Sequence, residues 1–158
     1  MLRPARADDL NDLHDIFSDP VAMRFWDRPA YDDLNTTAAF LARLMKQDPA
    51  RSYDLVVEHQ DRCIGKAGMW RRPEIGYILH PAYWRQGLAF EALSAFLPHA
   101  FRRFDTEPVV TAECDPRNVA SGRLLTRLGF RRTRQEKANF HYGGIEWCDT
   151  DYYELNRP

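Results

Sequence analysis

The stretch Glu74-Ile75-Gly76-Tyr77-Ile78-Leu79-His80-Pro81-Ala82-Tyr83-Trp84-Arg85-Gln86-Gly87-Leu88-Ala89 decides how this chain folds. Glu74 to Leu79 reads as a central strand, and His80-Pro81 breaks it. A glycine-containing turn follows. From Gly87 the residues Leu88, Ala92, Leu93, Ala95, Phe96, Ala100, Phe101 and Phe104 keep helical spacing, with Pro98 expected to kink or interrupt a turn. A strand that runs into a helix start gathers unpaired backbone N–H groups where the helix dipole already favours negative charge. A pyrophosphate would fit that nest. Gly87 and Ala89 are small enough to let an anion approach the main chain, although a glycine alone in such a turn is ordinary turn chemistry.

Working outward, Ala7 to Phe17 opens on Asp8-Asp9 and carries Leu10, Leu13, Ile16 and Phe17 at helical spacing. Asp19-Pro20 redirects it into an aromatic, irregular loop, Val21 to Pro29, that could line a pocket. A second helix is expected from Asn35-Thr36-Thr37 to about Gln47. Tyr53 to Glu58 and Cys63 to Trp70 read as an antiparallel hairpin turning at Gln60-Asp61-Arg62. Val109 to Cys114 is a further strand. Asn118 to Leu128 is a helix ended by Gly129, and two more strands cover Phe130 onward and Ile145 to Leu155. The order is mixed α/β without internal repeats, over a single domain spanning residues 1–158.

Composition narrows the function. Lys plus Arg number 22 against 23 Asp plus Glu, so the net charge of -1 exerts no global pull toward nucleic acid or an anionic membrane. Cys63, Cys114 and Cys148 have no C-x-x-C spacing, which points to buried free thiols in a reducing cytoplasm and away from zinc or any other metal. The N-terminal residues Met1-Leu2-Arg3-Pro4-Ala5-Arg6 carry no apolar leader, and no run is long enough to cross a bilayer, so neither export nor membrane insertion is expected.

Two further pieces sharpen the reading: the strand Glu74 to Leu79, and the block Asp115-Pro116-Arg117-Asn118-Val119-Ala120-Ser121 followed by Leu124, Leu128, Gly129 and Phe130. Together these resemble the GNAT superfamily of N-acetyltransferases. Gly76 through Ala92 is similar to the pattern of the branch containing ribosomal-protein N-terminal acetyltransferases, and the resemblance runs from Leu2 to the strand around Tyr152-Tyr153-Glu154-Leu155. It implies a mostly antiparallel twisted sheet of about six or seven strands flanked by about four helices, with a splayed strand pair forming a CoA cleft. It also implies acetyl-CoA as cosubstrate and a primary amine as acceptor, either a protein N-terminus or a small molecule, in a monomer or homodimer.

By this resemblance the backbone amides of Gln86, Gly87, Leu88 and Ala89 hold the CoA pyrophosphate, with Trp84 standing where Arg or Gln is commoner. Ile78 and Leu79 pair through their main chain with the pantetheine arm, as an added strand would. Asn118 matches a pantetheine-binding asparagine and Ser121 a serine near the departing sulfur. As a bare residue, Asn118 is equally a helix cap. Relatives carry a tyrosine four residues before the Gly-Phe pair to protonate the thiolate, and here that residue is Leu125.

An alkylamine is mostly protonated at neutral pH, so direct transfer requires a base. Glu74 ranks first, ahead of Glu113, Asp27 and Glu136, although a charged residue on a strand face or loop more often simply meets water. His80 and His141 rank lower. Trp26, Phe25 and Tyr77 are the candidate acceptor-lining aromatics. No Cys/His nucleophile signature argues for a covalent intermediate. The basic group Arg123, Arg127, Arg131, Arg132 and Arg134 could face the 3′-phosphate of CoA or an RNA backbone. The near-neutral charge and the lack of stacking-aromatic motifs argue against RNA. The alternative function is a CoA-sensing or partner-binding module that has lost turnover, suggested by Leu125.

Overall fold

Alternation along the middle strands sets the layers. In Tyr53–His59, Leu55 and Val57 turn to one side of the sheet and Val56 to the other, and all three are buried. A strand that buries both faces needs helices on both, and the computed structural model, which describes residues 1–158, supplies them.

Seven strands form one sheet. They are β1 (Leu2–Arg3), β2 (Tyr53–His59), β3 (Arg62–Arg71), β4 (Glu74–Leu79), β5 (Val109–Cys114), β6 (Arg131–Tyr142) and β7 (Glu146–Asn156), in the spatial order β1-β2-β3-β4-β5-β7-β6. Every neighbouring pair is antiparallel except β4 and β5. Five α-helices pack around it: α1 (Leu10–Phe17), α2 (Pro20–Met23), α3 (Leu34–Met45), α4 (Leu88–Arg103) and α5 (Val119–Arg127). The expected mixed fold and mostly antiparallel sheet are present. The expected helix count of about four is exceeded by α2.

Three boundaries differ from expectation for local reasons. The first helix splits into a 3₁₀ turn at Ala7–Asp9 and then α1. The Val21–Pro29 stretch is not wholly irregular. Pro20 occupies a first-turn position, where its missing N–H costs nothing, and Asp19 accepts from the Val21 amide at 2.7 Å, so Pro20–Met23 forms one helical turn. The cap of α3 is Asp33, not the Asn35 neighbourhood, because its carboxylate accepts from Thr36 N at 2.9 Å. Pro98 sits inside α4 without ending it. The carbonyl it deprives of a partner belongs to Ser94 on the solvent side, while Phe96, Leu97, Ala100 and Phe101 stay buried.

Two apolar cores result, one on each face. Leu79, Leu93, Phe96, Val110, Leu125 and Phe130 belong to the α4 side. Leu13, Ile16, Phe17, Met23, Val56 and Ile78 belong to the side of α1 and α3. Within the second layer lies an ion pair between Lys66 (2% exposed) and Asp54 (4% exposed). Burial raises the Asp54 carboxyl above the usual range despite the facing ammonium, and its Oδ1 has no hydrogen-bond partner. Removing Lys66 would strand that carboxylate. Lys66→Met is therefore expected to lower unfolding stability in urea by about 3–5 kcal/mol, and adding Asp54→Leu should recover much of the loss.

Candidate active site

The gap on which the site is built follows from strand register. β4 and β5 pair only at Glu74↔Thr111 and Ile75↔Ala112. Beyond those residues each strand follows its other neighbour. β4 stays on β3 out to Leu79↔Gly65, and β5 stays on β7 out to Cys114↔Asp151. The sheet is left open between Gly76–Leu79 on one arm and Glu113–Cys114 on the other.

The open edge of β4 has a definite polarity. His80 N donates to Ile64 O at 2.9 Å, so the main-chain groups two residues apart from it face β3, and those of Tyr77 and Leu79 face the gap. One is already used: Trp84 Nε1 donates to Leu79 O at 2.8 Å. The Trp84 side chain thus ties the following turn to the end of the strand. The side chains of Ile78 and Leu79 are buried in opposite cores, so whatever these residues offer a ligand comes from the backbone.

The turn between β4 and α4 is an anion nest. His80 caps the 3₁₀ turn Pro81–Tyr83 by accepting from Ala82 N, and Gln86 Nε2 returns to Ala82 O at 2.9 Å. Arg85 and Gly87 both take left-handed backbone angles, with φ of 60° and 81°. The first amide of α4 to find a protein acceptor is that of Glu91, on Gly87 O, and none of the amides from Gln86 to Ala89 has one. A Cβ added at Gly87 would meet nothing within 4 Å. The space beside the main chain there is open, as close approach by a phosphate requires.

Across the gap stands α5. Asn118 Oδ1 accepts from Ser121 N at 3.2 Å, so the capping role holds for Asn118. Ser121 Oγ lies 2.5 Å from the hydroxyl of Tyr77. Tyr77 was expected among the acceptor-lining aromatics, but strand alternation turns it to the α5 side, away from Phe25 and Trp26. Leu125 is 0% exposed in the α4-side core and does not reach the gap. Cys114 ends β5 beside Ser121, and burial raises its thiol pKa, as it raises that of Cys63 to about 12. All three cysteines are free and buried.

The opposite face of the gap is polar and aromatic. The edge of the Trp26 ring lies over Gly76, with Trp70 alongside and the Lys66 ammonium 5.4 Å from the Trp26 ring centre. Phe25 is further along the rim, beneath the guanidinium of Arg117. Glu74, whose side chain is 15% exposed, accepts from Trp70 Nε1 and from Arg71, both at 3.1 Å, so both its oxygens are engaged. Glu113 sits on the same face, next to the last paired residue of β5, and no hydrogen bond or ion pair holds it. Although its side chain is exposed, desolvation by the surrounding rim, and secondarily the charge of Glu74, push its carboxyl upward from the usual range. Glu136 is tied to Arg134, Asn139 and Tyr152, and Asp27 to Arg28. His141 stacks on Trp147 in the β6–β7 hairpin.

The basic group is dispersed: Arg127 covers Phe90, Arg132 pairs with Asp151, and Arg134 lies over Tyr152. Trp70, Tyr152 and Arg117 escaped the sequence reading. For Trp70 a signal existed, since alternation from Lys66 and Gly68 puts it on the Trp26 side. Arg117, which links Asp115 to Glu146 and so pins the loop before α5, showed none. A separate cavity of about 570 Å³ between α4 and the C-terminal end of α5, lined by Phe90, Phe101 and Arg127, lies apart from the gap. No group of three or more His, Cys, Asp or Glu residues is placed to hold a metal ion, and no helix is long and apolar enough to cross a membrane.

A parallel pair that parts after two residues, with an amide-lined helix start at one arm and a capped helix at the other, is the architecture of the GNAT acetyltransferases. Residues 1–131 match the family model for the acetyltransferase (GNAT) domain, and the chain belongs to that family. It is 30% identical over 115 residues to the uncharacterized N-acetyltransferase YnaD of Bacillus subtilis, covering 70% of this chain, and it spans 66% of that relative's length. Among solved structures it is similar to RimL, a ribosomal L7/L12 alpha-N-protein acetyltransferase in complex with coenzyme A (TM-score 0.86, 21% identity, 98% of this chain and 92% of that one). It is also similar to the spermidine N-acetyltransferase of Vibrio cholerae in complex with CoA and spermine (TM-score 0.82, 16% identity, 99% and 94%).

If the nest binds phosphate through its main chain, a methyl group at its centre should be felt by the ligand more than by the fold. Gly87→Ala is expected to weaken CoA binding by about tenfold in isothermal titration, with a stability loss of only about 1 kcal/mol from the left-handed backbone.

Proposed function

We propose that residues 1–158 act as one acetyl-CoA-dependent N-acetyltransferase domain that transfers acetyl directly to a primary amine, a protein N-terminus or a small-molecule amine. The observation that carries this is the gap itself, which joins an anion nest and a free strand edge on one side of the sheet to a carboxylate-bearing aromatic face on the other. A thioester held along the β4 edge would have its carbonyl beside the Leu79 amide, a fixed donor for the developing oxyanion. The amides of Gln86 to Ala89 take the pyrophosphate, and Asn118 orders the turn that presents Ser121. Holding donor and acceptor on one axis through the sheet supplies the proximity that amide formation needs.

Glu113 replaces Glu74 as the base in this reading. Its oxygens are unclaimed, and the upward direction of its pKa favours proton acceptance. It reaches the ammonium of the acceptor directly or through one water. Cys114 borders the gap, but burial keeps its thiol protonated, which favours direct transfer over a covalent intermediate. The three buried free thiols support a cytoplasmic setting. RimL and the spermidine enzyme act on very different amines, and the aromatic rim of Trp26, Phe25 and Trp70 suits either class.

The test is release of free CoA thiol from acetyl-CoA with spermidine, benzylamine and an alanine-headed peptide as acceptors. Acceptor-dependent turnover is expected, and CoA binding without turnover would leave a sensing module instead. Glu113→Gln should lower kcat by about a hundredfold and abolish the fall in rate at acid pH, a fall that lies above the ordinary carboxylate range because the free carboxyl is raised. Glu74→Gln should keep that limb.

A further inference from the structure

The gap encloses two hydroxyl groups whose protons outnumber the acceptors around them. Tyr77 Oη and Ser121 Oγ lie 2.5 Å apart, and the Ser121 carbonyl, 3.5 Å from Tyr77 Oη, is at the outer limit of useful geometry. The Cys114 sulfur nearby is a weak acceptor, and its own thiol turns to the carbonyls of Asp115 and Asn118. Each hydroxyl brings one proton, so one is spent between the pair, and the other meets only the Cys114 sulfur, which is in hydrogen-bond contact with Ser121 and is a far poorer acceptor than a departing thiolate. A serine in a helix commonly turns its hydroxyl back on a carbonyl of the preceding turn, and Ser121 does not. Its amide, meanwhile, is fixed by Asn118. When Tyr77 donates, the unspent proton is the serine's, on the helix turn that faces the open strand edge.

We infer that Tyr77 is a positioning residue for thioester cleavage: its hydroxyl donates to Ser121 Oγ and so directs the serine proton at the sulfur leaving the acetyl carbonyl. The inference rests on the acetyl-transfer reading of the site. As the acceptor nitrogen bonds to the carbonyl carbon, the C–S bond breaks and its electron pair stays on sulfur, where the serine O–H stabilises it. The ammonium gives one proton to the Glu113 carboxylate before attack, and Glu113 passes it to solvent; the second nitrogen proton travels through water to the sulfur, so the thiol, the amide and both hydroxyls are in balance after each turnover. Burial keeps the phenol protonated far above neutral pH, which makes the pair a donor at every working pH. A tyrosine from β4 thus reaches the region that Leu125, buried in the core, leaves without a phenol.

The experiment is steady-state kinetics with acetyl-CoA and the best acceptor of the panel above, for wild type, Tyr77→Phe, Ser121→Ala and the double variant, with thermal midpoints as the check on folding. Each single change should lower kcat by about tenfold, with KM for acetyl-CoA and the affinity for CoA unchanged. The double variant should be no slower than Ser121→Ala, because Tyr77 acts only through the serine. The loss in Tyr77→Phe should be the same from about pH 6 to 9, since the group does not titrate there. An undiminished kcat in Tyr77→Phe, a loss additive with that of Ser121→Ala, or an effect on KM alone overturns this inference while leaving acetyl transfer standing. Absence of turnover by wild type with every acceptor overturns both.

Discussion

A β-strand edge that is not paired must find other partners for its N–H and C=O groups, and that constraint organises this molecule. β4 has such an edge in the middle of the sheet, from Gly76 onward, because β5 leaves it after Ala112. Everything chemically notable lies within reach of that edge. Trp84 satisfies one carbonyl, Ser121 faces the gap from α5, and Trp26, Glu74 and Glu113 bound it from the other side. The bond from Trp84 to Leu79 O has a double effect. It holds the end of β4 against fraying and sets the distance between the strand edge and the nest, so the two parts of an extended ligand meet a preset spacing.

The two faces of the gap are made differently. At the turn before α4 the free groups are main-chain amides, and the side chains around them serve conformation: Gly87 and Arg85 bend the turn, and His80 and Gln86 brace it. On the opposite face of the gap the polar groups are side chains, several held by neighbours, as Glu74 is by Trp70 and Arg71. Beneath them the buried Lys66–Asp54 pair places charge within the layer under α1 and α3 and sets a cation under Trp26.

This asymmetry explains what could be read from sequence. The strand Glu74–Leu79, the turn and the helix start are local in the chain, so periodicity and glycine placement reveal them, and the helix cap at Asn118 follows from the same local chemistry. The opposite face is assembled from the loop after α2 and from β3, β4, β5, β6 and β7, and nothing local says which carboxylate is free. Glu74 looked best by its position beside the motif, yet Arg71 and Trp70 occupy it, whereas Glu113 is left alone by a register that only the folded sheet defines. Tyr77 was misplaced for a related reason. Its face was fixed by alternation, but which face met α5 depended on how the sheet was wrapped. The short helix at Pro20–Met23 was missed because prolines were read as breaks, when Pro20 in fact starts a turn.

The outer hairpin shows what this division permits. β6 is an edge strand with nearly every residue exposed, and Tyr152 and Glu136 reach the acceptor face from its ladder with β7. Residues there, like Trp70 and Glu113, fill no core volume, so their replacement costs little packing. The scaffold accordingly fixes the main-chain turn before α4 and leaves the opposite rim free to change. A lineage built on it can drift from one amine to another by repainting a rim, without renegotiating the hydrophobic layers that keep the chain folded.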